Sequence, residues 1–259
     1  MQQKKCGVKK IYKTGGAHTI AALAYGTKNF EKVDKIVGPG NAFVAAAKKE
    51  VFGDVGIDMV AGPSEVSIVA DKSANPSLVA ADMIAQAEHD INSQSILITN
   101  NRNMIRLVNS ALKEQLKKLP KKDIAFRSLK NFGLAILTNN KKRILEAVNT
   151  IAPEHLELHT KINKELVKGV KSAGSIFIGD FSPEAIGDYI AGPNHVLPTS
   201  GSARFSSGLS VSDFLKRHSI IKITKTGIER LGASVINLAK HENLDGHAYS
   251  VKLRLKKEN

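Results

Sequence analysis

Residues 66–99 read VSIVADKSANPSLVAADMIAQAEHDINSQSILIT, and this stretch decides the fold. Val66–Ala70 is a short run rich in β-branched residues and Ser95–Thr99 is a second, so each reads as a strand. Between them Asn75 offers a side-chain cap and Pro76 takes the first helical position, which starts a helix. Leu78, Val79, Met83 and Ile84 give that helix an apolar side. Strand, helix and strand in this order predict two parallel strands joined by a crossover. Gln86 and His89, three residues apart, project together from the last turn of the helix.

The same alternation continues in both directions. Downstream, Arg102–Leu119 is an amphipathic helix, Leu134–Leu137 a strand, Lys141–Thr150 a helix and His155–His159 an alternating strand. Leu166–Ser172 reads as helical, and Ser175–Ile178 as a strand closed by Gly179. Upstream, Lys9–Lys13 reads as a strand whose preceding helix is reduced to Met1–Cys6, and Gly15-Gly16 turns into a helix at His18–Tyr25. Val33–Val37 is a strand ending in Gly38-Pro39-Gly40, Asn41 caps a helix over Ala42–Val51, and Ile57–Val60 is a further strand. The pattern predicts an α/β protein with a mostly parallel sheet covered on both faces, its functional groups at the carboxyl ends of the strands.

After Gly179 the pattern loosens. Residues 191–208 form a long loop rich in turn formers, the kind of loop that carries function. Val211–Arg217 reads as a short helix and Ile220–Ile223 as a strand. Thr226–His241 is amphipathic, with Ile228, Leu231, Val235, Ile236 and Leu238 on one side, and a last helix runs through His247 to Leu253. Two helices in a tail of about 50 residues bury little core of their own, so the tail is expected to pack on something else.

Composition limits the function classes. The 259 residues are 42% hydrophobic and 24% charged, which is globular, and no apolar run approaches the ~20 residues of a membrane span. The first residues contain no apolar leader segment, and the single Cys6 excludes an internal disulfide. Both features fit a cytoplasmic protein. The net charge of +14 is mostly Lys spread along the whole chain, and aromatic residues are only 5%, so a solvated surface accounts for it better than nucleic-acid binding. An anionic cofactor would be favoured by the same field.

Local signatures of chemistry are sparse. There is no Gly-x-Gly-x-x-Gly, and Gly38-Pro39-Gly40-Asn41 is not a nucleotide-binding loop. His241-Glu242 opens like a zinc-protease helix, but Asp245 stands where the second His is required. Taken singly, Gln86 and His89 read equally well as hydrogen-bonded structural residues, Asp188 as a helix cap or surface acid, and His247 as a cation near a helix end. Glu154-His155 differs in kind. Adjacent acid and base can reach one cavity only if the backbone bends, and Pro153, by holding Ala152 extended, offers such a bend. The pair suits proton abstraction from an alcohol or activation of water near neutral pH; a surface Glu beside a core His fits the residues equally.

Seven stretches resemble the histidinol dehydrogenase family. They are GGAHTIAALAYGT at 15–27, DKIVGPGNAFV at 34–44, DMVAGPSEV at 58–66, AQAEH at 85–89, APEHLE at 152–157, GDYIAGPNHVLPT at 187–199 and the segment from Glu242 to His247. The resemblance follows the chain in order from end to end. It implies two incomplete Rossmann-like parallel-sheet domains, 1–65 for NAD and 66–209 for zinc and catalysis, plus a helical dimerisation tail, 210–259. It places this chain as the C-terminal portion of the family's fold.

The activity implied is oxidation of L-histidinol to L-histidine through L-histidinal, with two NAD molecules each accepting a hydride and one Zn²⁺ per site. By position, Gln86, His89, Asp188 and His247 look like zinc ligands, and they contact substrate together with Ser64, His155 and Glu242. Glu154 and His155 look like the acid–base pair, and Asn41 and His18 like NAD contacts. His18 stands where the family commonly has Gln, and either side chain can hydrogen-bond a ribose or a phosphate. The resemblance also implies a homodimer with shared active sites, in which the partner supplies Glu242 and His247. Two other readings suit the chain: an inactive piece that keeps zinc and histidinol binding, and a basic binding protein.

Overall fold

In the computed structural model, which describes residues 6–120 and 122–255, two compact units appear: Met1–Phe214 and Leu215–Asn259. The first opens with helix α1 (Ala17–Tyr25), strand β1 (Lys35–Ile36), helix α2 (Ala42–Glu50) and strand β2 (Gly56–Ile57). β1 and β2 pair in parallel as a small sheet, and Ile20, Ala24, Ile36, Val51 and Val55 form the core beneath the two helices. Asn41 caps α2 as expected, its Oδ1 accepting the N–H groups of Phe43 and Val44. Lys9–Lys13 is not a strand: an extended segment becomes one only by pairing, and no neighbour pairs with it among the described residues. The helix read into Met1–Cys6 falls almost wholly outside them.

A buried ion pair fixes the turn after β1. Lys48 of α2 is only 2% exposed and bonds to the carboxylate of Asp58. Its Nζ also donates to the Gly38 carbonyl at 3.0 Å, while Asp58 Oδ2 accepts the Gly38 N–H at 2.8 Å. The Gly38–Gly40 turn is thereby tied from both sides, which places Asn41 at the carboxyl end of the small sheet.

The large sheet follows. Its chain order is β3 (Glu65–Ala70), α3 (Pro76–Ala87), β4 (Gln94–Thr99), α4 (Arg102–Leu116), α5 (Lys122–Phe132), β5 (Gly133–Leu137), α6 (Lys141–Ile151), β6 (His155–His159), α7 (Asn163–Val167), β7 (Ser175–Ile178) and α8 (Glu184–Tyr189). All five strands are parallel, in the order β5-β4-β3-β6-β7, the doubly wound arrangement. One face packs Val66, Ile68 and Leu97 against Val79, Met83, Met104 and Val108; the other packs Val69, Ile96, Ile98, Leu156 and Leu158 against Ile144 and Val148 of α6. The first helix after β3 starts as read, with Asn75 Oδ1 accepting the Ser77 N–H at 2.9 Å.

Three sequence expectations need correction. Helix α5 was not foreseen, although Ala125 and Ser128 are spaced to bury one face. The helix expected at Leu166–Ser172 lies earlier, at Asn163–Val167, where Asn163 Oδ1 accepts the Thr160 N–H at 2.9 Å just ahead of the helix. Ala152 is not extended before Pro153; it is left-handed, with φ 50° and ψ 59°, and its N–H closes α6 on Val148. The bend into Glu154 exists, but it comes from a conformation that a residue preceding proline rarely adopts.

The second unit consists of α9 (Lys225–His241) and α10 (Asp245–Leu255). Gly232 lets them approach closely, since a Cβ there would come within 2.7 Å of Leu255. Leu231, Val235, Leu238 and Leu253 leave much of their apolar surface exposed. Ile220–Ile223 forms no strand, having no strand to pair with among the described residues. No helix among the described residues is long and apolar enough to cross a membrane.

Breaking the Lys48–Asp58 pair tests its role in the first unit. Lys48→Met leaves a buried, uncompensated carboxylate and is expected to cost about 3–5 kcal/mol, read as a lower urea midpoint. Adding Asp58→Asn, which keeps an acceptor for Gly38, is expected to recover most of the loss.

Candidate active site

Strand alternation places His155, Glu157 and His159 on one face of β6, the face that Val66, Ile68 and Ala70 occupy in the paired strand β3. Helices α3 and α8 cover this face. Asp82 and Gln86 lie one turn apart on α3, and Glu184 and Asp188 lie one turn apart on α8. The result is a buried polar seam in an otherwise apolar layer.

At the head of the seam, His155 Nδ1 lies 3.1 Å from the carbonyl oxygen of Glu65. A carbonyl only accepts, so Nδ1 carries the proton and Nε2 keeps its lone pair. Nε2 is buried without a hydrogen-bond partner, 3.8 Å from Asp188 Oδ1. Glu184 Oε2, also buried and unpartnered, lies 3.7 Å from Nδ1. Phe177 leans on the imidazole, with ring centres 5.9 Å apart.

Glu154 is held by the same residue that holds His155. Its Oε2 accepts the Glu65 N–H at 3.0 Å, so one peptide unit on either side of the Glu65 Cα fixes both members of the pair. The Glu65 side chain ties in the 191–208 loop: Oε1 accepts the N–H of left-handed Ser200 at 2.8 Å. Thr199 Oγ1 accepts the Gly62 N–H at 2.6 Å, and a Cβ on Gly62 would overlap Ser200 Oγ. Only glycine admits that approach.

Burial controls the protonation of this site. It pushes the Glu154 carboxyl up to about 8, with the Glu65 N–H pulling the other way and the charges of Glu65 and Asp188 adding to the rise. Burial and the neighbouring Glu157, Asp188, Asp82 and Glu154 raise Glu184 well above the carboxylate range. Burial and Glu157 bring Asp82 to about 7. His155 is lowered by burial, which keeps it neutral, although the Asp188 charge opposes this. Burial lowers His159 as well, but hydrogen bonds to Glu157 and Asp180 outweigh it and the net shift is upward.

The structure gathers the expected first-unit residues unevenly. Gln86 is 1% exposed and its Oε1 has no partner. His89 lies beyond the end of α3, whose last helical residue is Ala87, and is exposed, although its N–H still reaches the Gln86 carbonyl at 3.3 Å. A cleft of about 630 Å³ runs from Asn41 past Gly62 and Ser64 to His89. The Asn41 side-chain oxygen is engaged in capping α2. His18 is exposed in the first turn of α1, 3.5 Å from Thr14 Oγ1. Glu242 closes α9 and His247 lies in the first turn of α10, both exposed in the second unit.

Glu154 and His155 sit at the amino end of β6, as the strand read at His155–His159 implies, whereas the fold class alone points to the carboxyl ends. The chain passes from the carboxyl end of β2 directly into the amino end of β3, so the cleft borders both. Sequence reading missed Glu65, Asp82, Glu157, His159 and Glu184. Glu65 acts through its backbone and left no signal; the others share a face by spacing, every second residue on β6 and every fourth on α3 and α8. Asp82, Glu157 and His159 each bring one ligand atom within 4.8 Å of the others.

A doubly wound sheet with a buried, backbone-held Glu–His pair beside further nitrogen and oxygen donors defines an α/β protein with a candidate active site. The sequence profile described as histidinol dehydrogenase matches residues 1–255. The chain is 56% identical over 256 residues to the histidinol dehydrogenase of Pelagibacter ubique, covering 98% of this chain and 60% of that protein. It is 50% identical to the Bacillus subtilis histidinol dehydrogenase, over 96% of this chain and 58% of the relative. The crystal structure of histidinol dehydrogenase from Elizabethkingia anophelis superposes with a TM-score of 0.91 at 43% identity, over 97% of this chain and 58% of the other. The chain belongs to the histidinol dehydrogenase family, and it spans about 60% of the length of the curated relatives it matches.

The raised carboxyls make stability fall with pH. Folded Asp82, Glu154 and Glu184 hold protons that the unfolded chain has released, so their contribution is complete below the ordinary carboxyl range and is lost as pH rises through about 7 for Asp82 and about 8 for Glu154. His155 acts in the opposite sense only below its ordinary value of 6.5. Metal-free protein is therefore expected to lose on the order of 2 kcal/mol between roughly pH 6.5 and 9 in urea titrations. Glu154→Gln is expected to flatten the slope; an unchanged slope would contradict the burial assignment.

Proposed function

We propose that this chain carries the chemical centre of a zinc-dependent, NAD-linked oxidation of L-histidinol to L-histidine through the aldehyde. The observation that carries the reading is His155, held by Glu65 as the Nδ1–H tautomer with a free, buried Nε2, beside a Glu154 held by the same residue. In this role His155 takes the proton of the alcohol at Nε2 during the first hydride loss. Glu154, once deprotonated, activates the water that hydrates the aldehyde before the second. Burial favours both: it keeps His155 neutral and holds Glu154 near the pH at which acid and base forms interconvert.

Gln86, His89 and Asp188 of this unit suit zinc, and His247 is the fourth ligand in this reading. The fit rests on Gln86, whose buried Oε1 has no protein partner, and on a donor set of oxygen and nitrogen without sulfur. Zinc supplies a Lewis-acidic anchor that orients the substrate. Ser64 and Glu242 serve as further substrate contacts. Asn41 and His18 serve the cofactor, with the amide nitrogen of Asn41 as donor because its oxygen caps α2. The reading includes a cytoplasmic homodimer whose partner supplies Glu242 and His247: the apolar residues exposed on α9 and α10 give a physical motive for exchange across a two-fold axis.

Chelator-free protein is expected to hold one zinc, lost in the double variant His89→Ala, Asp188→Ala. In an assembly that turns over histidinol, His155→Asn is expected to lower the rate of both oxidations by about 100-fold or more. Glu154→Gln is expected to slow histidinal oxidation more than histidinol oxidation. Zinc without NAD reduction would identify an inactive piece, and absence of both would leave a basic binding protein. For the shared site, co-refolding His89→Ala with His247→Ala in equal amounts should restore about a quarter of the activity through mixed dimers. A dead mixture containing mixed dimers would exclude it.

A further inference from the structure

The seam extends beyond the residues assigned a chemical role. Glu157 is 0% exposed, and both of its oxygens are engaged. Oε1 accepts the backbone N–H of Glu184, the first residue of α8, at 2.7 Å. Oε2 lies 3.1 Å from His159 Nε2, and His159 Nδ1 lies 3.1 Å from Asp180 Oδ1. A His between two carboxylates donates from both nitrogens, so it holds Glu157 with one and is itself aimed by the other.

Helix α8 needs this arrangement. It has six residues, too few to be stable by propensity, and its N-cap is Pro183, which makes no side-chain cap. The Glu157 carboxylate supplies from another element the acceptor that a Ser or Asp cap would supply locally. Gly187 lets α8 lie against β7, where a Cβ would come within 2.7 Å of the Phe177 ring. Helix α8 in turn carries Glu184, 3.7 Å from His155 Nδ1, and Asp188, 3.8 Å from Nε2. Any slip of α8 displaces both carboxyls from the imidazole together.

We propose that Glu157 is a positioning residue for this site: its carboxylate docks the first turn of α8 onto β6 and thereby sets Glu184 and Asp188 against the two nitrogens of His155. The role rests on the function proposed above. The convergence of Asp82, Glu157 and His159 has a second chemistry available to it, a cation site. Against that, both Glu157 oxygens and both His159 nitrogens already have protein partners.

The test compares Glu157→Ala with Glu157→Gln in the 259-residue chain, by zinc competition against a chelator and by amide hydrogen exchange. A Gln side chain can accept from the Glu184 N–H while its amino group donates to His159 Nε2, which then gives up its proton and keeps Nδ1–H on Asp180, so it is expected to hold zinc within about threefold of the unaltered chain. Glu157→Ala is expected to weaken zinc about 10-fold or more through Asp188, in the range seen for residues that orient ligands. It is also expected to speed exchange at the Glu184 amide, with Val69 and Leu97 in the sheet unchanged. If Glu157→Ala fails to fold, Asp180→Ala replaces it: its carboxylate is 46% exposed, and faster exchange at Glu184 is still expected.

Unchanged exchange at Glu184 in either variant overturns the proposal. So does equal loss of zinc from the Ala and Gln variants, or a zinc that survives His89→Ala with Asp188→Ala and disappears with Asp82→Asn. Should the unaltered chain bind no zinc, the functional reading loses its metal, while exchange at Glu184 still decides the role of Glu157.

Discussion

Everything at the site depends on the parallel pairing of β3 with β6 in the register Val66 to His155. That register brings Glu65 beside residues 90 positions away, so that its N–H reaches Glu154 and its carbonyl reaches His155. A shift of one residue would turn His155 to the opposite face, into the layer of Leu156 and Leu158. The hydrophobic contents of the two faces oppose that slip, since it would bury His155, Glu157 and His159 among aliphatic side chains. The core thus fixes where Glu154 and His155 sit relative to Glu65.

The same alternation explains why so many ionisable groups share one layer. A strand buried on both faces ordinarily reads as a continuous apolar run. β6 departs from this, with all five residues buried and three of them ionisable. These polar groups satisfy one another along the strand: Asp180 holds His159, His159 holds Glu157, and Glu157 holds the backbone of α8. At the head of the seam satisfaction is partial: Glu65, Gln86, His155 and Glu184 each keep a buried atom unpaired. Unpaired buried polar atoms are uncommon, and among the described residues four of the six lie here, the others being the hydroxyls of Ser67 and Ser93.

Much of this was legible in the sequence. Strong local signals gave their elements: Asn75-Pro76 opens α3 and Asn41 opens α2, because capping is settled within three residues. Strands without a partner were misread at Lys9–Lys13 and Ile220–Ile223, because β-propensity describes a residue and a strand is a property of a pair. The acid–base pair stood out as adjacent letters, Glu154 and His155. Glu65 did not, because it acts through its backbone, which every residue possesses. Glu184 and Glu157 appeared as ordinary acids, since nothing local says that a carboxylate 27 residues away will cap a helix.

The balance of charge in the seam bears on what the site must contain. Asp82, Glu154, Glu157, Glu184 and Asp188 face two imidazoles, and burial raises three of these acids: Asp82 to about 7, Glu154 to about 8 and Glu184 well above the ordinary carboxyl value. Excess buried negative charge can be relieved by protons or by a cation. Protons relieve it by turning bases into acids, which removes the proton acceptor that the function proposed above assigns to Glu154. A divalent cation relieves it while leaving carboxylates ionised. The side chain best placed to accept one without losing a hydrogen bond is Gln86, a neutral oxygen donor that adds no further negative charge. An amide at that position suits a seam already rich in acids: a sixth carboxylate beside these five would deepen the excess, whereas the neutral amide adds a donor without adding charge.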